Sequence, residues 1–163
     1  MISKEWLADS MVRECKIFVH LHSKIPTDLQ DWRPAPSQRS VMELLRYVAV
    51  SPISYLKNYL EPEAGWRDRY MAIANAVSFD EFPARMGQTQ HEILDFFQEI
   101  SEEALLARKV KTPAGEEMPL AQAILNGPAK WLPAYKMQLF LYLKQNGIQL
   151  STPNLWRGVD PVA

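Results

Sequence analysis

Trp131-Leu-Pro-Ala-Tyr135-Lys-Met-Gln138-Leu-Phe-Leu-Tyr142-Leu-Lys-Gln-Asn-Gly147 says two things at once. Its aromatic and polar residues fall at 131, 135, 138 and 142, alternating steps of four and three, so they share one face of a helix. Positions 131 and 135 stand one turn apart, the spacing at which two histidines could grip one ion. Trp and Tyr occupy them, and neither is an ordinary zinc ligand. The stretch predicts a helix with a buried polar face and no metal chemistry on that face.

The rest of the chain supports a helical bundle. A length of 163 residues fits one domain spanning 1–163, large enough to bury roughly two-thirds of its unfolded surface. A net charge of −1 argues against broad electrostatic binding to nucleic acid or to an anionic membrane. The basic clusters Arg67-Asp-Arg69 and Arg108-Lys109-Val-Lys111 read as solvated loops. Cys15 is the single cysteine, so no intrachain disulfide or multi-cysteine metal site is possible. The opening Met1-Ile-Ser-Lys-Glu-Trp-Leu lacks the basic-then-apolar order of a signal peptide, and no apolar run reaches membrane-spanning length. A cytoplasmic protein is expected.

Helix 1 is predicted over about Lys4 to Lys24, with Ser3 as N-cap, a stripe of Leu7, Met11, Cys15, Phe18, His22 and Ile25, and Pro26 as its end. Helix 2 opens on a capping box, Ser40-Val-Met-Glu43, and is interrupted at Ser51-Pro52. Its pattern resumes through Ile53, Leu56, Tyr59 and Leu60. The connection from Glu61 to Val77 is too apolar to be a loose linker. It is long enough to carry the chain from one end of a bundle to the other, which would leave helices 2 and 3 parallel. Helix 3 is predicted from a second capping box, Ser78-Phe-Asp-Glu81, with Phe82, Met86, Ile93, Phe97 and Ile100 as its stripe. A hairpin-like loop follows around Pro113 to Gly115. Helix 4 is expected from about Pro119 to Asn146, bent or broken at Gly127-Pro128 and Pro133, with Gly147 as the C′ glycine. The tail from Ser151 to Ala163 is expected to lie against the bundle. Four long amphipathic helices with little strand signal give an all-α four-helix bundle.

Three segments together resemble the DinB-like (damage-inducible, YfiT-like) family of four-helix bundles. Trp32-Arg-Pro followed by Arg39-Ser40-Val-Met-Glu-Leu-Leu-Arg-Tyr47 is similar to that family's lead into helix 2, where the Tyr47 position is normally histidine. Trp131-Leu-Pro-Ala-Tyr135-Lys-Met-Gln138-Leu looks like its H-x-x-x-H-R-G-Q block, and Tyr142-Leu-Lys-Gln-Asn-Gly147 like its Y-L-R-x-x-G ending. The resemblance implies an up-down-down-up topology with the long crossover between helices 2 and 3, and frequent homodimers. It commonly implies zinc or nickel held by three histidines; some members are thiol-dependent transferases or hydrolases linked to stress and detoxification. Here Tyr47, Trp131 and Tyr135 stand at all three ligand positions, while Lys136 and Gln138 match. Losing every ligand removes the Lewis acid and the activated water of that chemistry.

No metal and no cofactor are therefore expected, and the balance leans away from an enzyme. If the resemblance holds, Tyr47, Trp131 and Tyr135 converge at one end of the bundle. Two arrangements stay open there. The rings simply fill the vacated space, each burying about 150–250 Å². Alternatively, with Gln138 and His22, they bound a pocket for a small, partly apolar ligand. The competing class is a transferase or hydrolase with a relocated site, such as one built from His22, His91 and Glu43. His20 and His22 point about 200° apart on a helix and cannot share an ion.

Overall fold

Capping groups and proline breaks set the helix boundaries in the computed structural model, which describes residues 3–162. Met1 and Ile2, part of the opening stretch tested for a signal peptide, and Ala163 at the end of the tail lie outside the described residues. Ser3 caps α1 (Lys4–His22) by accepting the Trp6 N–H, 3.3 Å away. Leu7, Met11, Cys15, Phe18, His22 and Ile25 of its predicted stripe are all buried. Ser40 and Glu43 form the predicted capping box of α2 (Val41–Val48): each side chain accepts the other residue's N–H, at 3.2 and 2.8 Å. The interruption at Pro52 is a true break, and α3 (Ser51–Leu60) starts anew with the proline in its first turn, where no N–H is needed.

The segment from Glu61 to Val77 proves more regular than its expected role as a connection. It holds a short 3-10 turn, Pro62–Ala64, and then α4 (Trp66–Ala76). No side chain caps α4. Its start is made by Gly65 at φ +68°, a conformation open to glycine, and it buries only Tyr70 and Ala74. Weak capping and a narrow buried stripe explain why its periodicity does not stand out in the sequence.

The second capping box is only half made. Glu81 accepts both the Ser78 N–H (3.0 Å) and the Ser78 hydroxyl (2.6 Å), so that hydroxyl donates to the carboxylate and caps nothing. Helix α5 (Phe82–Glu99) accordingly begins one turn later. Helix α6 (Glu102–Ala107), the hairpin of β1 (Lys109–Lys111) and β2 (Glu117–Pro119), and α7 (Leu120–Asn126) lead to α8 (Pro128–Gln145). The expected fourth helix is thus divided at Gly127, where a Cβ would lie 2.6 Å from the Tyr59 hydroxyl and 2.8 Å from the Ala123 carbonyl. Pro133 lies within α8 without ending it, and Gly147 at φ +81° closes it as predicted. The tail forms α9 (Thr152–Trp156), held to α1 by Asn154 and Asp160 at His20 and Lys24.

Contacts along the helices fix their directions. Lys4 at the start of α1 donates to the Ile100 carbonyl beyond the end of α5, while His22 meets Phe79 just before its start, so these two helices are antiparallel. Thr89 of α5 donates to the Ala49 carbonyl ahead of α3, and Leu60 at the end of α3 lies beside Phe96, so α3 and α5 run parallel. Tyr47 meets Tyr135 and Tyr55 meets Trp131, which sets α2–α3 antiparallel to α8. Taking α1 as up, the order is up-down-down-up, with α4 as the crossover. The buried apolar side chains form one contiguous core.

A buried ion pair sits inside that core. Lys136 of α8 is fully buried, its Nζ 2.7 Å from Glu14 Oε2 of α1 and 4.4 Å from the centre of the Trp156 ring. Charges are costly to bury and are tolerated when paired. Lys136→Met should destabilise the fold by about 3–5 kcal/mol, because it strands the Glu14 carboxylate. Adding Glu14→Leu should recover most of the loss, as read by urea denaturation. A single variant as stable as the parent would show that the pair is not holding α1 to α8.

Candidate functional site

Of the three sequence-predicted aromatic residues, Tyr47 and Tyr135 meet each other, while Trp131 meets Tyr55. Tyr47 and Tyr135 pack edge to face with ring centres 5.1 Å apart, and Tyr55 and Trp131 do the same at 4.6 Å. Tyr55 was not predicted. It stands two turns beyond Tyr47, and the proline break between them hides that they share a face. Across the break the spacing runs Glu43, Tyr47, Ser51, Ser54 and Tyr55, a continuous polar stripe on α2–α3.

Over the first pair lies a cation supplied by the protein itself. The Arg39 guanidinium carbon is 4.2 Å from the centre of the Tyr47 ring and 5.7 Å from that of Tyr135. Tyr142 holds the segment that carries Arg39: its hydroxyl lies 3.2 Å from Gln38 Oε1 and 3.1 Å from the Arg39 carbonyl, and it accepts from the Gln138 amide. Gln138 thus acts one step behind the aromatic cluster, orienting Tyr142.

His22 lies elsewhere. Its Nε2–H donates to the Phe79 carbonyl at 2.9 Å, and its ring packs on Phe79 and Phe82 at the α1–α5 junction. Burial lowers its pKa, against smaller opposing effects from that hydrogen bond and Asp80. His91 is exposed, bonded to the Gly87 carbonyl, and more than two turns along α5 from Phe82. The alternative grouping of His22, His91 and Glu43 is not brought together. Burial also pushes the Cys15 thiol up to about 12, which keeps it protonated and unreactive.

Beside the Arg39–Tyr47 stack opens a cavity of about 660 Å³. One wall is the polar stripe of α2–α3, with Tyr47, Ser51, Ser54 and Tyr55. The facing wall is α4, whose Arg67, Met71 and Asn75 recur every four residues. Two smaller cavities, about 260 and 240 Å³, continue past Tyr55 toward Pro113 of the hairpin and then Trp131. Of the predicted aromatic residues, Tyr47 borders the large cavity and Trp131 the smallest, while Tyr135 lines none of the three.

The donors here do not suit a divalent metal. Burial, reinforced by the Tyr135 and Tyr55 phenols, raises the Tyr47 pKa and keeps it neutral, and the Trp131 indole has no lone pair to give. The Arg39 guanidinium beside these rings also brings a positive charge that would repel a cation. Among the described residues no three His, Cys, Asp or Glu side chains lie close enough together to hold an ion. Tyr47→His with Tyr135→His should therefore leave zinc affinity weaker than about 1 μM by calorimetry. Tighter binding would mean that Arg39 and Trp131 leave more room than their packing indicates.

The chain has the architecture of DinB-like helical bundles. The crystal structure of a DinB-like protein, YjoA from Bacillus subtilis, aligns with it at a TM-score of 0.70 and 17% sequence identity, covering 90% of this chain and 94% of that one. At such identity the likeness is one of fold. No family model and no curated protein matches the sequence. No described helix is long and apolar enough to cross a membrane.

Proposed function

We propose that the protein is a metal-free, small-ligand-binding member of the DinB-like bundles, acting in the cytoplasm as a stress-associated module without catalytic chemistry of its own. The observation that carries this is the 660 Å³ cavity, walled by Tyr47, Ser51, Ser54 and Tyr55 and roofed by α4. It has the size of a small-molecule site and the mixture of aromatic walls with a few polar groups that such sites use. The competing transferase or hydrolase with a relocated centre has less support, since the one thiol is buried and the histidines are dispersed.

Ser54 faces the cavity and is itself buried, so Ser54→Phe should fill the space. A thermal-shift screen of small aromatic fragments should give binders that raise the melting temperature of the parent and fail on this variant. A ligand at 100 times its Kd adds about 2.7 kcal/mol, or roughly 5–10 °C for a chain of this size. Hits that act equally on both proteins would place binding elsewhere.

Pairing of two copies belongs to the same proposal. Trp6, Leu94, Leu125 and Leu141 are large apolar side chains left exposed, and a homodimer would cover some of them. Sedimentation equilibrium at micromolar concentration should report twice the chain mass; a monomer across that range would remove dimerisation from the account.

A further inference from the structure

We infer that the cavity takes an anionic ligand, a small carboxylate or phosphate ester carrying a flat apolar body. This rests on the cavity being the ligand site. Three arginines line it, Arg39, Arg46 and Arg67, against one carboxylate, Glu43. That carboxylate is already engaged: it accepts the Ser40 N–H at 2.8 Å and pairs with Arg33, outside the cavity lining, at 3.2 Å. Its charge is therefore largely answered, and the cavity keeps a positive balance.

The arginines are differently committed. Arg46 spends its Nε–H on the Val77 carbonyl at 2.9 Å, which fixes its guanidinium between α2 and the end of α4. The Arg39 guanidinium carbon lies 4.2 Å from the centre of the Tyr47 ring, and neither Arg39 nor Arg67 meets a carboxylate or a side-chain hydrogen-bond acceptor among the described residues. A guanidinium stacked on a ring is pre-organised while its in-plane N–H groups stay free, the arrangement that receives a carboxylate or phosphate through two parallel hydrogen bonds. Arg67 comes from α4 and Arg39 from the segment before α2, so two separate elements each bring a guanidinium to the cavity lining. Met71, Val50, Tyr47 and Tyr55 also line the cavity and supply apolar surface for the rest of the molecule. The Ser51 and Ser54 hydroxyls line the same wall and can accept or donate to its polar edge.

The test uses three probes of one shape: 2-naphthoate, 2-naphthyl phosphate and the neutral 2-naphthamide, titrated calorimetrically into the full chain. At least one anion should bind ten times or more tightly than the amide, and which anion wins identifies the headgroup. Arg67→Gln, on an exposed position of α4, should weaken the preferred anion at least tenfold, with the melting temperature unchanged. Arg67→Lys should restore part of the loss. Equal affinity for the amide and both anions would overturn the anion assignment while leaving the cavity as a site. Failure of all three, while neutral fragments still act in a manner sensitive to Ser54→Phe, would overturn it in the same way. If neither the naphthyl series nor any fragment binds, the assignment falls together with the cavity.

Discussion

The rotation of α8 about its own axis is what the functional end depends on, and the Lys136–Glu14 pair sets it. Lys136 is turned inward onto α1, where its charge has one partner and the Trp156 ring as cover. Successive residues on a helix point about 100° apart. Fixing Lys136 toward α1 therefore turns Tyr135 toward α2, where it meets Tyr47. A buried pair of this kind adds little net stability but penalises every arrangement that leaves one charge alone. Here the arrangement so selected is the one that brings two aromatic pairs together across the α2–α3 and α8 interface.

What stands at that interface changes the electrostatics expected of a DinB-like fold. A site with three imidazoles would attract a cation; the present one contains a cation already. Arg39 is held over Tyr47 by the ring itself and by the Tyr142 hydroxyl at its backbone. Arg46 and Arg67 extend the positive charge along the cavity, and the nearest carboxylate is turned toward Arg33. On the reading proposed above, this end of the fold recognises negative charge, with Arg39, Arg46 and Arg67 as its donors.

Much of the fold could be read from local signals. The α1 stripe, the Ser40–Glu43 box, the break at Pro52 and the Gly147 terminus each follow from one residue type with one physical consequence. Readings failed where two uses of a residue competed. Ser78 could cap a helix or bond to Glu81, and it does the latter, so α5 starts late. Gly127-Pro128 could bend or break the helix, and it breaks it, with the Tyr59 hydroxyl too close to Gly127 for any side chain. His22 lay on the predicted stripe, but no sequence pattern told that Phe79 would claim its N–H. Gln138 shares the face of Tyr135 yet serves Tyr142. Tyr55 was hidden by the proline break ahead of it, and the α4 arginine because its contribution appears only when the crossover folds back over α3.

That crossover divides labour between two sets of positions. Tyr70 and Ala74 fasten α4 to the bundle, the former through Glu92, while Arg67, Met71 and Asn75 look into the cavity from the adjoining face. Exchanging the second set alters no packing inside the four main helices. The frame is thus separable from the cavity lining: exchanges at Arg67, Met71 and Asn75 can reshape one wall and its charge while the bundle beneath keeps its form.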